Sequence, residues 1–129
     1  MPRKISRKGI IRKLDKLVSE IVIARDKACV TCGSKDKMGC GHLFTRQAYS
    51  TRWDLSNCFA QCWNCNYLHE YDPHPLTSYF IGKFGIDKYD ELHRTFRAAT
   101  PIKTWQLEIL RRNLETILKD LKVPRRGGH

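Results

Sequence analysis

Long apolar runs are absent from this chain of 129 residues, and acidic residues are scarce. No stretch reaches the roughly 18 to 20 consecutive apolar residues that a membrane span requires. The first seventeen residues carry charges throughout, unlike an export signal. We therefore expect a cytoplasmic protein with no membrane partner.

The shortage of acidic residues leaves the chain strongly basic. It contains 24 Lys and Arg against 13 Asp and Glu, for a net charge of +11. A charge of this sign does not define a fold, but it favours binding to a polyanion, and nucleic acid is the first candidate. The residues expected to contact DNA are Arg7, Lys8, Arg12, Lys13, Arg46 and Arg52.

The six cysteines are arranged in a way that predicts metal binding rather than disulfides. Four of them form two Cys-x-x-Cys pairs, whose thiols can close one tetrahedral Zn²⁺ site. Because no export signal is present, we expect the thiols to be reduced. The paired residues are Cys29 with Cys32 and Cys62 with Cys65. The other two, Cys40 and Cys58, are expected to be small buried residues.

His42, Asn57 and Asn66 lie between and beside these pairs, and they offer the groups that phosphodiester hydrolysis needs. A neutral imidazole can accept a proton from water at physiological pH. The carbonyl oxygen of Asn66 suits Mg²⁺ or Mn²⁺, which would polarise the phosphate and stabilise the leaving oxygen. The Asn57 amide could fix its loop, or hold His42 in the tautomer that leaves its reactive nitrogen free.

At this length we expect one α+β, mostly helical domain in four parts. Apolar residues at spacings of three and four predict a basic helix within residues 1–27. Residues 28–72 form the zinc-bound centre, with Gly33 able to take a positive φ in the first cysteine turn. Residues 73–121 are predicted to be helical, and 122–129 to be a flexible basic tail.

Within the centre we expect a two-stranded ribbon, with strands at 42–45 and 53–56. A helix should begin near Cys62 or Trp63 and end before Pro73. Trp53, Trp63 and Trp105 are all predicted to be core residues rather than platforms on which bases stack.

In the helical part, Gly85 should separate two short helices over 76–84 and 87–96. Thr100 is predicted to cap the last helix, with Pro101 at its first position. An apolar stripe follows this helix, and Leu107 lies off it. The stripe comprises Ile102, Trp105, Ile109, Leu110, Leu114, Ile117, Leu118 and Leu121. It should pack on the protein's own core, with a homodimer seam as the alternative.

The order Cys-x-x-Cys, Gly-His, Asn, Cys-x-x-Cys-Asn resembles the HNH, or ββα-metal, endonucleases. The chain is more closely similar to the NinG (Rap) family of phage recombination proteins. Near counterparts run over about residues 28–97. The segments that carry this resemblance are 40–46, 50–54, 57–66 and 79–92.

The resemblance implies a zinc-stapled, HNH-like nuclease core that cleaves branched DNA, such as Holliday junctions or related recombination intermediates, in the host cytoplasm. It also implies His42 as general base, Asn57 as orienting residue and Asn66 as ligand of the catalytic Mg²⁺ or Mn²⁺. Many HNH enzymes place an acidic metal ligand before the histidine, where this chain has Gly41.

A second ligand is therefore expected from His69 or Glu70, three and four residues after Asn66, with neither preferred. Two alternatives to a branched-DNA nuclease stay open. One is a non-catalytic zinc module that only binds junctions. The other is an HNH enzyme that nicks ordinary duplex DNA.

Overall fold

The computed structural model describes residues 5–123, and this part of the chain is α+β and mostly helical, as predicted. Two strands form one antiparallel sheet, and helices surround it. The elements are α1 Arg7–Asp26, β1 Met38–His42, α2 Tyr49–Arg52, β2 Cys58–Cys62, α3 Trp63–His69, α4 His74–Phe84, α5 Ile86–Ala98 and α6 Thr104–Lys122. No helix in this part is long and apolar enough to cross a membrane.

Helix α1 begins where Ser6 accepts a hydrogen bond from the Gly9 backbone N–H at 3.1 Å. It ends at Lys27, which adopts a left-handed conformation with φ of 67°. Its apolar face is buried and packs on the sheet and on α6. The buried residues of this face are Ile10, Leu14, Val18, Ile21 and Val22. Each contributes about 1.5–3 kcal/mol through burial, so this face anchors the larger of two cores.

The predicted positions of the two strands are wrong, although the ribbon itself is present. The strands run over 38–42 and 58–62, with His42 opposite Cys58 in the register. Two glycines lower the strand propensity of β1. All five residues of β2 are buried, so β2 lacks the alternation of apolar and polar residues that marks a half-exposed strand.

The start and the buried face of α6 also differ from the prediction. The helix begins at Thr104 rather than Pro101, because the preceding chain is held extended. Arg7 donates hydrogen bonds to the Ile102 carbonyl at 2.7 Å and to the Thr104 hydroxyl at 3.0 Å. Leu107, predicted to lie off the stripe, is fully buried. It packs against α1 together with Leu114 and Leu118. The expected packing on the protein's own core therefore holds for part of the stripe, whereas Trp105, Ile109, Ile117 and Leu121 are exposed.

The prediction for the three tryptophans is right for one and wrong for two. Trp53 is buried in the core beside α1. Trp63 and Trp105 are 68% and 60% exposed. Each lies in the first turn of a helix that packs on its neighbours through another face.

A second core lies on the opposite face of the sheet, where α4 and α5 cover β2. Gly85 separates these two helices as predicted. The buried members of this core are Leu43, Phe59, Leu76, Phe80 and Leu92. Of the predicted tail, Lys122 ends α6, and residues 124–129 lie outside the described residues, as do residues 1–4.

Candidate metal centre and active site

The two Cys-x-x-Cys pairs come together as one cluster, as predicted. The sulfur atoms of Cys29, Cys32, Cys62 and Cys65 all lie within 4.8 Å of one another. A tetrahedral site with Zn–S bonds of 2.3 Å requires sulfur atoms about 3.8 Å apart. The sulfur atoms of Cys32 and Cys62 are 3.6 Å apart, and all four thiols are free. The cluster could therefore hold a structural Zn²⁺ ion with little rearrangement.

Local backbone geometry explains how each pair is held. In the first pair, the Gly33 N–H donates to the Cys29 carbonyl at 2.8 Å, and Gly33 has the positive φ of 81° that this turn requires. In the second pair, the Cys65 N–H points at the Cys62 sulfur at 3.5 Å, at the start of α3. The two pairs thus sit on rigid turns.

The thiols of Cys29 and Cys65 differ in pKa. Burial acts to raise the pKa of Cys29, but hydrogen bonds from the Thr31 hydroxyl and from backbone N–H groups outweigh it and lower the pKa to about 6. The Thr31 hydroxyl also acts to lower the pKa of Cys65, yet burial and the neighbouring thiols raise it to about 12.

His42 ends β1 and is held by the backbone of the loop that connects the strands. Its Nε2 lies 2.9 Å from the Arg52 carbonyl oxygen. A carbonyl can only accept, so Nε2 carries the hydrogen and Nδ1 keeps its lone pair. Burial lowers the pKa of His42 below its ordinary value of 6.5. The ring is thus a neutral base near physiological pH.

Asn57 is fully buried and fixes the loop between the strands. Its side-chain oxygen accepts from the Phe44 N–H at 2.8 Å, and its amide donates to the carbonyls of Phe44 and Thr51 at 3.0 and 3.1 Å. The sequence allowed two roles for Asn57, and these bonds agree with the first, which is to fix the loop. The contact that orients His42 comes instead from Arg52.

Two side chains of α3 reach the backbone of β1 and the residue after it. The Asn66 amide nitrogen donates to the Cys40 carbonyl at 3.4 Å, and its side-chain oxygen, which accepts no hydrogen bond from residues 5–123, could serve as a ligand. His69 Nε2 lies 3.2 Å from the Leu43 carbonyl, and its buried Nδ1 has no hydrogen-bond partner among the described residues. Glu70 is exposed at the end of the helix. Of the two residues considered for the second ligand, His69 rather than Glu70 contacts the backbone at the end of β1.

Gln61 is a candidate site residue that the sequence did not reveal. Its side chain lies directly over Gly41, so that a Cβ at position 41 would overlap the Gln61 amide oxygen. Gln61 is 1% exposed, and this oxygen has no hydrogen-bond partner in the described structure. The two residues lie in one antiparallel pair of strands, a proximity that becomes visible only once the strand register is known.

The predicted DNA contacts divide into two groups. Lys8, Arg12, Lys13 and Arg46 are exposed, although Arg46 also lies 3.5 Å from Asp15 in an ion pair. Arg7 is engaged by the start of α6. Arg52 lies 2.6 Å from Asp15, and its side chain is only 12% exposed. The four exposed side chains can therefore reach DNA phosphates, whereas Arg7 and Arg52 are bound to other parts of the protein.

Comparison with models of known protein families identifies the family of this chain. A family model described as bacteriophage lambda NinG protein matches residues 3–124, nearly the whole chain. No curated protein and no solved structure matches it. The chain therefore belongs to the NinG family.

Proposed function

We propose that this protein is a zinc-stabilised endodeoxyribonuclease that uses Mg²⁺ or Mn²⁺ to hydrolyse phosphodiester bonds in branched DNA. The observation that carries the proposal is His42 itself. Its imidazole is held in one tautomer at the end of a strand, with a free ring nitrogen and a lowered pKa. The helix that follows the paired strand presents Asn66 and His69 toward the same strand.

The element order supports an HNH-like core. An antiparallel pair of strands is followed directly by a short helix, which is the order that the name ββα-metal describes. The four-thiol cluster sits where the first strand begins and the second strand ends, because Met38 pairs with Cys62. A Zn²⁺ ion there would fix the start of α3 and hence the direction of Asn66.

In the proposed mechanism, His42 removes a proton from water. The Arg52 carbonyl holds the His42 Nε2–H, so that Nδ1 is the atom that accepts this proton. The lowered pKa keeps Nδ1 unprotonated near neutral pH, and the imidazolium that forms can give its proton back to solvent after cleavage. Asn57 helps to hold the loop that carries Arg52, because its amide donates a hydrogen bond to the Thr51 carbonyl.

The residues proposed to hold the divalent cation are Asn66, His69 and Gln61. Asn66 and Gln61 offer amide oxygens, which Mg²⁺ and Mn²⁺ accept, and His69 offers an imidazole nitrogen. The buried atoms His69 Nδ1 and Gln61 Oε1, which lack partners among residues 5–123, fit this assignment. When bound, the cation would polarise the phosphate and stabilise the leaving oxygen. Gln61 would then supply the oxygen that an acidic residue before the histidine supplies in many HNH enzymes.

A row of exposed aromatic rings supports branched DNA as the substrate. Trp63, Tyr67 and Tyr71 are 68%, 50% and 70% exposed and lie four residues apart along α3 and its end. The first two rings are stacked, with centroids 5.9 Å apart and planes 15° apart. Exposed rings stack with unpaired bases of any sequence. Forked DNA offers such bases beside its branch point, and intact duplex does not.

Cleavage of a four-way junction requires cuts in two strands, so we also propose a homodimer through α6. The helix uses one face against α1 and leaves a second apolar face open. The exposed residues of this face are Trp105, Ile109, Ile117 and Leu121. Light scattering with and without junction DNA tests this part of the proposal, and a monomer mass in both conditions would remove it.

Cleavage of end-labelled four-way, forked and linear DNA in Mg²⁺ tests the proposed activity. We expect the wild-type protein to cut the branched substrates and His42→Ala to be inactive. His74→Ala is the matched control, since His74 is exposed on α4 and outside the site. Negligible cleavage of all three substrates by the wild-type protein would refute an enzyme. Tight junction binding without cleavage would favour a non-catalytic module, and equal cutting of linear DNA would favour a duplex nickase.

A further inference from the structure

Cys40, His42 and Cys58 form a second cluster of soft metal ligands, separate from the four-cysteine cluster. The two thiol sulfurs and one His42 ring nitrogen all lie within 4.8 Å of one another. His42 faces Cys58 across the ribbon, and Cys40 lies two residues before His42 on the same face of β1. Zn²⁺ held by thiolate and imidazole brings its ligand atoms to about 3.6–3.8 Å apart, within reach of small side-chain rotations.

We infer that Cys40, His42 and Cys58 form a binding site for a thiophilic divalent metal such as Zn²⁺, Co²⁺ or Cd²⁺. Two thiolates, one neutral imidazole and one open position resemble the donor set of catalytic rather than structural zinc sites. On binding, each thiol loses one proton to solvent and the two thiolates balance the charge of the cation. A neutral centre of this kind is compatible with the buried position of Cys58.

The orientation of His42 is the one that a metal ligand requires. Metal-binding histidines commonly donate their second ring N–H to a carbonyl, which fixes the tautomer and the ring. His42 does this with the Arg52 carbonyl at 2.9 Å, and the same carbonyl lies 3.3 Å from the Cys58 sulfur. Two of the three donors, His42 and Cys58, are therefore arranged around one backbone carbonyl. Cys40 and His42 are half-buried, and Cys58 is buried.

The site has a consequence for the proposed nuclease, and this consequence rests on the proposed function. A metal bound to His42 occupies the lone pair that would otherwise accept the proton of water. Zinc in excess of the four-cysteine cluster would therefore inhibit cleavage, while Mg²⁺, which avoids thiolates, would not enter this site.

Titration of the metal-free, fully reduced protein with Co²⁺ tests the site, because tetrahedral cobalt–thiolate centres absorb visible and near-ultraviolet light. We expect two equivalents per wild-type chain, and one in Cys40→Ala and in His42→Ala. Met38→Ala is the control, since Met38 lies on the same face of β1 and offers no thiolate, and it should retain two. Circular dichroism of each variant confirms that it is folded. Saturation of the wild type at one equivalent would overturn the site, as would two equivalents retained in both ligand variants.

A parallel cleavage assay separates this inference from the proposed function. In the wild type, addition of the second equivalent of Zn²⁺ should reduce the rate of Mg²⁺-dependent cleavage at least about tenfold. In Cys40→Ala the same addition should leave the rate nearly unchanged. If the wild type cleaves nothing in Mg²⁺ alone, the nuclease proposal fails, while the cobalt stoichiometry still decides the metal site. Cleavage that is insensitive to a demonstrated second ion would overturn the inhibitory role.

Discussion

Arg52 Nη2 lies 2.6 Å from Asp15 Oδ2, and this ion pair links the first helix to the loop that positions His42. The Asp15 carboxylate also accepts from the Trp53 indole at 2.8 Å. The next group along this chain of contacts is the Arg52 carbonyl, which accepts from the His42 ring. The ion pair is therefore connected to His42, the candidate base, through one residue, Arg52, whose side chain binds Asp15 and whose carbonyl binds the imidazole.

Asp15→Asn should destabilise the fold by about 1–3 kcal/mol, because it leaves the largely buried Arg52 guanidinium without its charged partner. Urea unfolding measures the difference in the free energy of unfolding. Asp90→Asn, an exposed substitution on α5, is the control and should change little. Equal stability of the two variants would show that the ion pair contributes nothing.

The contribution of Asp15 should also depend on pH. Burial acts to raise the pKa of Asp15, but hydrogen bonds from Arg52 and Trp53 and nearby positive charges lower it overall below its ordinary value of 3.8. A depressed pKa in the folded state means that the stabilisation is complete above about pH 4 and is lost as the pH falls through the lowered value. The stability gap between wild type and Asp15→Asn should therefore shrink below pH 4. An unchanged gap at pH 3 would contradict this.

Removal of zinc should destabilise the wild-type protein but not a variant of the four-cysteine cluster. Cys29→Ser should lower the thermal midpoint, because the metal contributes directly to folding free energy. A chelator should then lower the wild-type midpoint toward that of the variant. Cys40→Ala should remain sensitive to the chelator, since it leaves the four-cysteine cluster intact. A wild-type midpoint unaffected by metal removal would show that the four thiols hold no structural ion.

Gly41→Asp should be destabilising, because the Gln61 side chain already fills the space that a new Cβ would need. We expect a cost of about 1–3 kcal/mol. Addition of Gln61→Ala should recover much of it, and the coupling of the two substitutions measures their contact. Gly39→Asp is the matched control, since no atom of residues 5–123 outside its chain neighbours lies within 4 Å of a Cβ built there. Additive effects at positions 41 and 61 would show that the glycine is not required by this contact.

Trp63→Ala should weaken the binding of forked DNA by roughly tenfold or more while linear duplex binding changes little, because stacking of a base on an aromatic ring is worth about 1–3 kcal/mol. Leu68→Ala is the control, since Leu68 is exposed on the same helix but has no aromatic ring. Fluorescence anisotropy at fixed ionic strength measures both affinities. Equal losses on forked and linear DNA would show that the aromatic row does not recognise unpaired bases.

The features that the sequence predicted correctly are those set by local spacing or by chemistry. The apolar spacing of α1 defines its buried face, from Ile10 to Val22. Gly85 separates two helices because its φ of 91° is a conformation that glycine adopts without strain and that residues with a Cβ do not. The paired cysteines meet because two short turns present them, and Gly33 has the positive φ expected of it.

The features that the sequence did not predict depend on contacts distant in the chain. The strands are displaced because β2 is buried on both faces and so shows no alternation. The start of α6 is set by Arg7, 95 residues before Ile102. Gln61 and the Cys40–His42–Cys58 group follow from the register of two strands. That register cannot be predicted from the spacing of residues or from the composition of the sequence.

The most direct test of the proposed function is the rate at which a labelled four-way junction is nicked in Mg²⁺ by the wild type and by Asn66→Ala, with junction binding measured in parallel. We expect the wild type to nick the junction. Asn66→Ala should lose a factor on the order of 10²–10⁴ in rate, at unchanged affinity, because loss of a metal ligand affects cleavage rather than phosphate contact. Absence of nicking by the wild type in both Mg²⁺ and Mn²⁺, or equal rates for the two proteins, would contradict the proposed function.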